Sequence, residues 1–431
     1  MNFSSAGSIG NDTPGCFCTD FKRVNFIATI QTESNEKTEM TDLLDWLPDE
    51  LQKLSDEGLF RRRREVKPIG EGRVFIDGRE VWDFASNDYL GLANDPRVVA
   101  AAAEGLRSHG VGAKASPLVS GRTDLHVNLE RALAAFEGTE AAILFPTGMA
   151  ANVGTVAALA GASDTVFCDR WNHASLVDGC RLSGARLRVY RHDDLTGLQQ
   201  SLARESARRK FLVTDSVFSM DGDLAPLPEL CEIAETYETT VILDEAHGTG
   251  VFGERGRGVA ELQGVEKRIA VRVGTLSKSI GCLGGFVTGS QTLIDYLWNK
   301  ARTQIYSTSL PPSLCAAATT SLEIIQTEPS RRDRLHSLCQ LFRLQLASAG
   351  VVPFPGSVGP IVPIVLNEPQ AAMKVAERLL EHGFLVGAIR PPTVPKGTSR
   401  LRVTLHSGLP EEIVTSLAVK IGELIPSKRS V

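Results

Sequence analysis

Between residues 141 and 290 the chain repeats one pattern: a short apolar run, then a longer stretch of helical spacing. The runs read AAILF, DTVFCD, RLRVYR, KFLVTDS, TVILDEAH, IAVRVGT and GGFVTGS. Several lack the polar alternation of a sheet wetted on one side, so they predict strands buried on both faces. Strands of that kind separated by helices form βαβ units. The expected fold class is therefore α/β, a mainly parallel sheet covered by helices.

The flanks follow a different pattern. After about residue 325 come a long charged helical stretch (RRDRLHSLCQLFRLQLASAG), PIVPIVL, AAMKVAERLLEHG, FLVGAIR, a proline-rich turn, RLRVTL and a last helix. They predict a smaller C-terminal α+β domain over 326–431, beside a large domain over 85–325. Residues 41–84 read as a helix behind a Thr/Asp cap, then two short strands around Asp77-Gly78. Residues 1–40 carry Glu33, Glu36 and Glu39 and no long apolar run. The expectation there is a disordered tail, or a segment upstream of a true start at Met40.

At 431 residues, two domains are expected. The 46 basic and 51 acidic residues leave a net charge of −5, which argues against a nucleic-acid partner. No apolar run approaches the ~20 residues that span a bilayer, so no membrane role is expected. The eight cysteines are Cys16, Cys18, Cys168, Cys180, Cys231, Cys282, Cys315 and Cys339. They have no zinc or thioredoxin spacing, which predicts free thiols in the cytoplasm and no metal.

In open α/β sheets ligands bind at the carboxyl ends of strands, and those ends are chemically rich here. AAILF leads into PTGMAAN, where the backbone N–H groups of Gly148 and Met149 open a helix and form an anion site. TVFCDR leads to His173, KFLVTDS to Ser219, and TVIL to Asp244, Glu245 and His247. IAVRV leads to Thr275, Ser277 and Lys278. An anion cradle, two histidines, an aspartate, hydroxyls and a lysine on one rim suit a phosphorylated aromatic cofactor held covalently by an amine. Each piece also has a plain structural reading: aspartates cap helices, lone histidines are commonly hydrogen-bonded core residues, and loop lysines are usually solvated.

From about Asp42 to Ile425 the chain resembles the α-oxoamine synthases, pyridoxal phosphate (PLP) enzymes of the aminotransferase-like fold type I. The resemblance is carried by SNDYLGL, TGMAAN, DRWNHAS, VFSMDGD, DEAHGTGVFGERGRG, GTLSKSIGCLGG, IYSTSLPP and RPPTVPKGTSRLRVTL, in that order. It implies Lys278 as covalent anchor and acid/base, Asp244 at the pyridine nitrogen and His173 stacked on the ring. It implies Ser219 and His247 at the phenolic oxygen, with Gly148, Met149 and Thr275 at the phosphate. Ser307 and Thr308 would reach the phosphate of a neighbouring subunit, which implies a homodimer. Arg402, helped by Asn87, would clamp the amino acid's carboxylate.

Within the family, the residues after His247 and the stretch AIRPPTVPKGTSRLR resemble the biotin-synthesis branch, which condenses L-alanine with a pimeloyl thioester. The acyl donor would be pimeloyl-CoA or pimeloyl-acyl carrier protein. Arg61 would read the distal carboxylate of the acyl group, and Thr393 would contact substrate. The alternative reading of Arg61–Arg64 is a solvated basic turn or a contact to CoA phosphate. A glycine-using relative and a non-catalytic binding module on the same fold stay open as alternatives. Lys114, Arg122, Cys282 and Leu283 depart from the family pattern and put the acyl preference in question.

Overall fold

The computed structural model describes residues 43–425. The expectations for residues 1–40, including Cys16, Cys18, a start at Met40 and the cap at 41–42, lie outside the described residues. The chain divides into two compact units, 1–51 and 52–431. Of the first, the described part is a turn over 43–46 and the beginning of the helix Leu47–Asp56. That helix starts later than the sequence pattern suggests, with Pro48 in its first turn, where a missing N–H removes no helical bond.

The larger unit holds two sheets. Near its start run β1 (Val66–Gly70), β2 (Arg73–Ile76) and β3 (Arg79–Phe84). β2 and β3 are the two strands expected around Asp77-Gly78. β1 was not legible, because its residues are mostly exposed and it contains Pro68. Then come β4 (Ala141–Phe145), β5 (Thr165–Asp169), β6 (Arg186–Tyr190), β7 (Lys210–Asp215), β8 (Thr239–Asp244), β9 (Val271–Thr275) and β10 (Gly285–Gly289). They make a seven-stranded sheet in the order β4-β10-β9-β8-β7-β5-β6. β10 runs antiparallel to both neighbours, and the other pairings are parallel. β11 (Ile361–Asn367), β12 (Phe384–Ile389) and β13 (Ser399–Thr404) join the first three strands in a six-stranded sheet, β1-β2-β3-β12-β13-β11. The hairpin and the C-terminal strands are joined by the parallel pairing of β3 with β12.

The packing explains why the central runs are continuously apolar. Alternate residues of one strand enter opposite cores. Ile143, Phe145, Val166, Cys168, Phe211, Val213 and Ile242 face one apolar cluster. Leu144, Phe167, Leu212 and Leu243 face the other. Both faces are covered, and each fully buried Val, Leu, Ile or Phe contributes about 1.5–3 kcal/mol. β6 is the exception: it lies at one edge of the sheet and is largely exposed, and it carries Arg186 and Arg188. Among the described residues no helix is long and apolar enough to cross a membrane.

Candidate active site

The carboxyl ends of β4, β5, β7, β8 and β9 point the same way, because β9, β8, β7 and β5 pair in parallel and β4 runs antiparallel to β10. The groups following these strands therefore share one rim. After β4, Thr147 caps the helix Gly148–Leu159, its hydroxyl accepting from Ala150 N at 3.0 Å. Gly148 and Met149 are the first two residues of this helix, where backbone N–H groups have no acceptor within the helix. A Cβ at residue 148 would lie 3.1 Å from the Thr275 side chain, so glycine keeps this cradle open.

After β8, Asp244 is buried and held from both sides: Oδ2 accepts from Asn152 Nδ2 at 2.6 Å and Oδ1 from Ala246 N at 2.8 Å. Asn152 also donates to Ser175 Oγ at 2.9 Å. Ser175 Oγ lies 2.7 Å from His173 Nδ1, which also accepts from Ser175 N at 3.2 Å. Nδ1 is thus an acceptor, and the neutral ring carries its proton on Nε2. Burial, with Lys278 nearby, holds His173 below the ordinary imidazole range, partly opposed by Asp244. The His173 N–H donates to Asp215 Oδ2 at 2.8 Å. Burial and the nearby Asp244 push the Asp215 carboxyl well above the usual range.

Lys278 sits in a loop closed on itself: Leu276 N donates to Gly284 O, Cys282 N to Leu276 O and Gly281 N to Lys278 O. Gly281 has φ 72°, and a Cβ there would be 2.5 Å from Ala93 N, so this turn needs glycine. Burial lowers the Lys278 ammonium to about 8, against the pull of Asp244 and Asp215. An amine so placed is a usable base near neutrality. Thr275 Oγ1 donates to Gly284 O at 2.8 Å and lies 2.8 Å from Ser277 Oγ, so Ser277 is the more exposed hydroxyl beside the cradle.

Arg402 on β13 reaches the same rim. Its Nε donates to Ser219 O at 2.7 Å, and Nη1 and Nη2 each donate to Asn87 Oδ1 at 3.2 Å. The Tyr89 hydroxyl is 3.3 Å from Asn87 Oδ1 and 2.5 Å from His247 Nδ1. Burial, then Lys278 and Arg402, depress His247 well below its ordinary value, so its ring is neutral. Gly148, Met149, His173, Ser219, Asp244, His247, Thr275, Lys278, Asn87 and Arg402 thus share one rim. Tyr89, Asn152, Ser175 and Asp215 complete their hydrogen bonding. Sequence reasoning missed these four roles, although each residue lies inside or beside a motif already singled out.

Arg61 and Thr393 are both exposed, and no hydrogen bond joins either to the rim residues. Arg61 is exposed, with Nη2 3.5 Å from Pro391 O, and Thr393 follows in the same turn. A cavity of about 460 Å³ there is lined by Arg61, Arg62, Arg64 and Arg390 over an apolar floor. Ser307 and Thr308 follow the exposed Tyr306 and make no hydrogen bond to Gly148, Met149 or Thr275. Of the departures from the family pattern, Arg122 pairs with Glu130 at 2.5 Å and lies 5.6 Å from the Trp298 ring centre. Lys114 occupies an exposed left-handed position.

The residues of the rim fit a phosphorylated pyridine aldehyde. Two free helix-terminal N–H groups suit a phosphate, a buried carboxylate suits a protonated ring nitrogen, and a low-pKa lysine suits an aldehyde carbon.

Comparison with known proteins agrees. Residues 79–421 match the family described as aminotransferase class I and II. The 8-amino-7-oxononanoate synthase of Methylococcus capsulatus is 47% identical over 379 residues, 88% of this chain and 98% of that protein. A serine palmitoyltransferase from S. paucimobilis, solved with bound PLP-myriocin aldimine, superposes with a TM-score of 0.85 at 34% identity, covering 89% of this chain and 98% of that one. The 8-amino-7-oxononanoate synthase of Francisella tularensis gives 0.70 at 30% identity, covering 80% and 97%. The chain belongs to the class I and II aminotransferase family of pyridoxal phosphate enzymes, on the branch that includes the 8-amino-7-oxononanoate synthases.

Proposed function

We propose that this protein condenses L-alanine with a pimeloyl thioester to give 8-amino-7-oxononanoate, CO2 and the free thiol, acting as a cytoplasmic homodimer. The thioester is carried by coenzyme A or by an acyl carrier protein. The observation that carries the reading is Lys278 on the same rim as the buried Asp244 and the Arg402–Asn87 pair. The product is the one for which the similar synthases are named.

When bound, pyridoxal phosphate supplies an electron sink for the pair left on the amino acid's α-carbon. Gly148, Met149 and Thr275 would hold its phosphate, Asp244 its ring nitrogen, and Ser219 and His247 its phenolic oxygen, with His173 at its face and Lys278 as its anchor. Arg402, steadied by Asn87, fixes the alanine carboxylate with a planar fork. Lys278 Nζ removes the α-proton. The α-carbon then attacks the thioester carbonyl, the thiolate leaves, and the carboxylate departs as CO2. Lys278 returns a proton to the α-carbon. Arg61 and Thr393 read the far end of the acyl chain, and Ser307 and Thr308 reach the partner subunit's phosphate.

The test is a matrix of L-alanine, glycine and L-serine against pimeloyl-CoA, pimeloyl-acyl carrier protein and palmitoyl-CoA, with product identified by mass. Alanine with a pimeloyl donor should dominate. Dominance of glycine would move the chain to a glycine-using branch, and serine with palmitoyl-CoA would align it with its serine palmitoyltransferase neighbour.

A further inference from the structure

One buried polar group outside this cluster ties together two loops that build it. His192 follows β6, and its side chain is only 10% exposed. Nδ1 lies 3.2 and 3.1 Å from the two carboxylate oxygens of Asp169, and Nε2 lies 2.8 Å from Asp223 Oδ2. Serving both carboxylates requires a proton on each nitrogen, which only the imidazolium has. Burial alone would lower its pKa, but Asp169 and Asp223 overcome that and push it up to about 10. Trp171 stacks on the ring at 4.7 Å and 4°, and Phe218 meets it edge-on at 4.4 Å. The ring is thus held between two aromatic side chains, with both nitrogens committed to carboxylates.

The two aspartates belong to different loops. Asp169 ends β5 and shapes the turn to His173: Oδ1 accepts from Trp171 N at 2.8 Å and its carbonyl from Asn172 N at 3.2 Å. Asp223 belongs to the narrow loop after β7, closed by the Val217–Leu224 bridge and by Phe218 N donating to Asp223 O at 3.0 Å. That loop carries Ser219, whose carbonyl holds Arg402.

We propose that the His192 imidazolium is a positioning residue, a cationic staple that fixes the His173 turn against the Ser219 loop. It thereby aligns the group on the cofactor face with the group that reads the amino acid's carboxylate. The inference rests on the PLP reading of the rim given above. Asp193 Oδ2, 3.5 Å from Nε2, brings His192, Asp193 and Asp223 within the reach of one metal ion. In the structure, however, Nε2 is already spent on Asp223, so the imidazolium provides the positive charge that an ion would.

The test compares His192→Gln, Asp223→Asn and the double variant, each loaded with PLP, by titrating L-alanine and following the cofactor's absorbance. Each single variant should weaken alanine binding about tenfold, and the double should be no weaker than the worse single, because one staple is lost in all three. PLP retention should change less than alanine affinity, about threefold at most, since His173 and Ser219 move with the staple but Gly148, Met149, Asp244 and Lys278 lie outside it. Unchanged alanine affinity, additive losses or parallel loss of PLP would overturn the proposal. So would a wild type whose alanine affinity falls to the variant level on treatment with EDTA, which would assign the cluster to a metal. If His192→Gln does not fold, Asp223→Asn, at the more exposed end, decides alone. A wild type that takes up no PLP overturns both readings. A wild type that responds to glycine or serine overturns only the choice of substrate, and the same variants are then titrated with that amino acid.

Discussion

The Tyr89 hydroxyl lies 2.5 Å from Nδ1 of His247, and both side chains are buried. Tyr89 has one proton to give, and the shorter contact directs it to His247 rather than to Asn87 Oδ1 at 3.3 Å. A neutral His247 accepting at Nδ1 carries its own proton on Nε2, where it can be donated to a phenolic oxygen. Tyr89 also stands between Asn87, which holds Arg402, and His247.

Tyr89→Phe should therefore keep the fold and lose activity. Leaving Nδ1 unpartnered in a buried site costs about 1–3 kcal/mol. kcat/KM should fall about 10- to 100-fold, with a shift in the cofactor's absorption maximum. An unchanged spectrum and unchanged kinetics would remove Tyr89 from the site.

Lys278→Met should abolish turnover while leaving a folded protein. The wild-type lysine has a pKa of about 8 when folded and 10.5 when unfolded. The unfolded state thus binds more protons between those values, and wild-type stability rises with pH across that window. Below pH 8 the buried cation destabilises the cofactor-free fold in full. The variant should then be more stable at pH 7 by about 1–3 kcal/mol, an advantage that shrinks as pH rises from 8 to 10.5. Urea titrations of the two cofactor-free proteins at pH 7 and 10 measure it.

Arg402→Lys preserves charge and loses the fork. Three donors now serve Ser219 O and Asn87 Oδ1 in fixed directions, which a single ammonium cannot reproduce. The amino acid's KM should rise at least about tenfold, with PLP retention little changed. Loss of PLP in proportion would mean that Arg402 organises the cofactor site and does not read substrate.

His406 should set part of the acid limit of stability. It is buried against Gly72, and burial lowers it to about 4 from an unfolded 6.5. Its contribution is present above pH 6.5 and is lost as pH falls toward 4, where the unfolded chain takes a proton that the folded one refuses. His406→Gln should flatten the fall in melting temperature between pH 6.5 and 4. A parallel curve for variant and wild type would refute this.

Much of the site was legible because its residues follow strands at fixed offsets. Asp244 and Thr275 end β8 and β9, and His173 and Ser219 each lie four residues beyond β5 and β7. The partners were not legible. Tyr89 and His247 are 158 residues apart, and Asn152 and Asp244 are 92 apart. Sequence spacing carries no information about which polar atoms meet once the sheet closes. Arg122 shows the same limit: its contact with Glu130 and Trp298 depends on packing, so its type alone could not separate an entrance residue from a surface pair.

By itself the sequence determined the doubly covered sheet, through the continuous apolar runs, and the chemistry available at its rim, through the residue types at each strand end. Those follow from local periodicity and side-chain identity. Only the tertiary structure decided that Asn152 and Ser175 link Asp244 to His173, that Arg402 crosses from the second sheet to Asn87 and Ser219, and that His192 joins two loops through two aspartates. Hydrogen bonds form over about 3 Å, and which groups come that close is fixed by folding of distant segments rather than by their order along the chain.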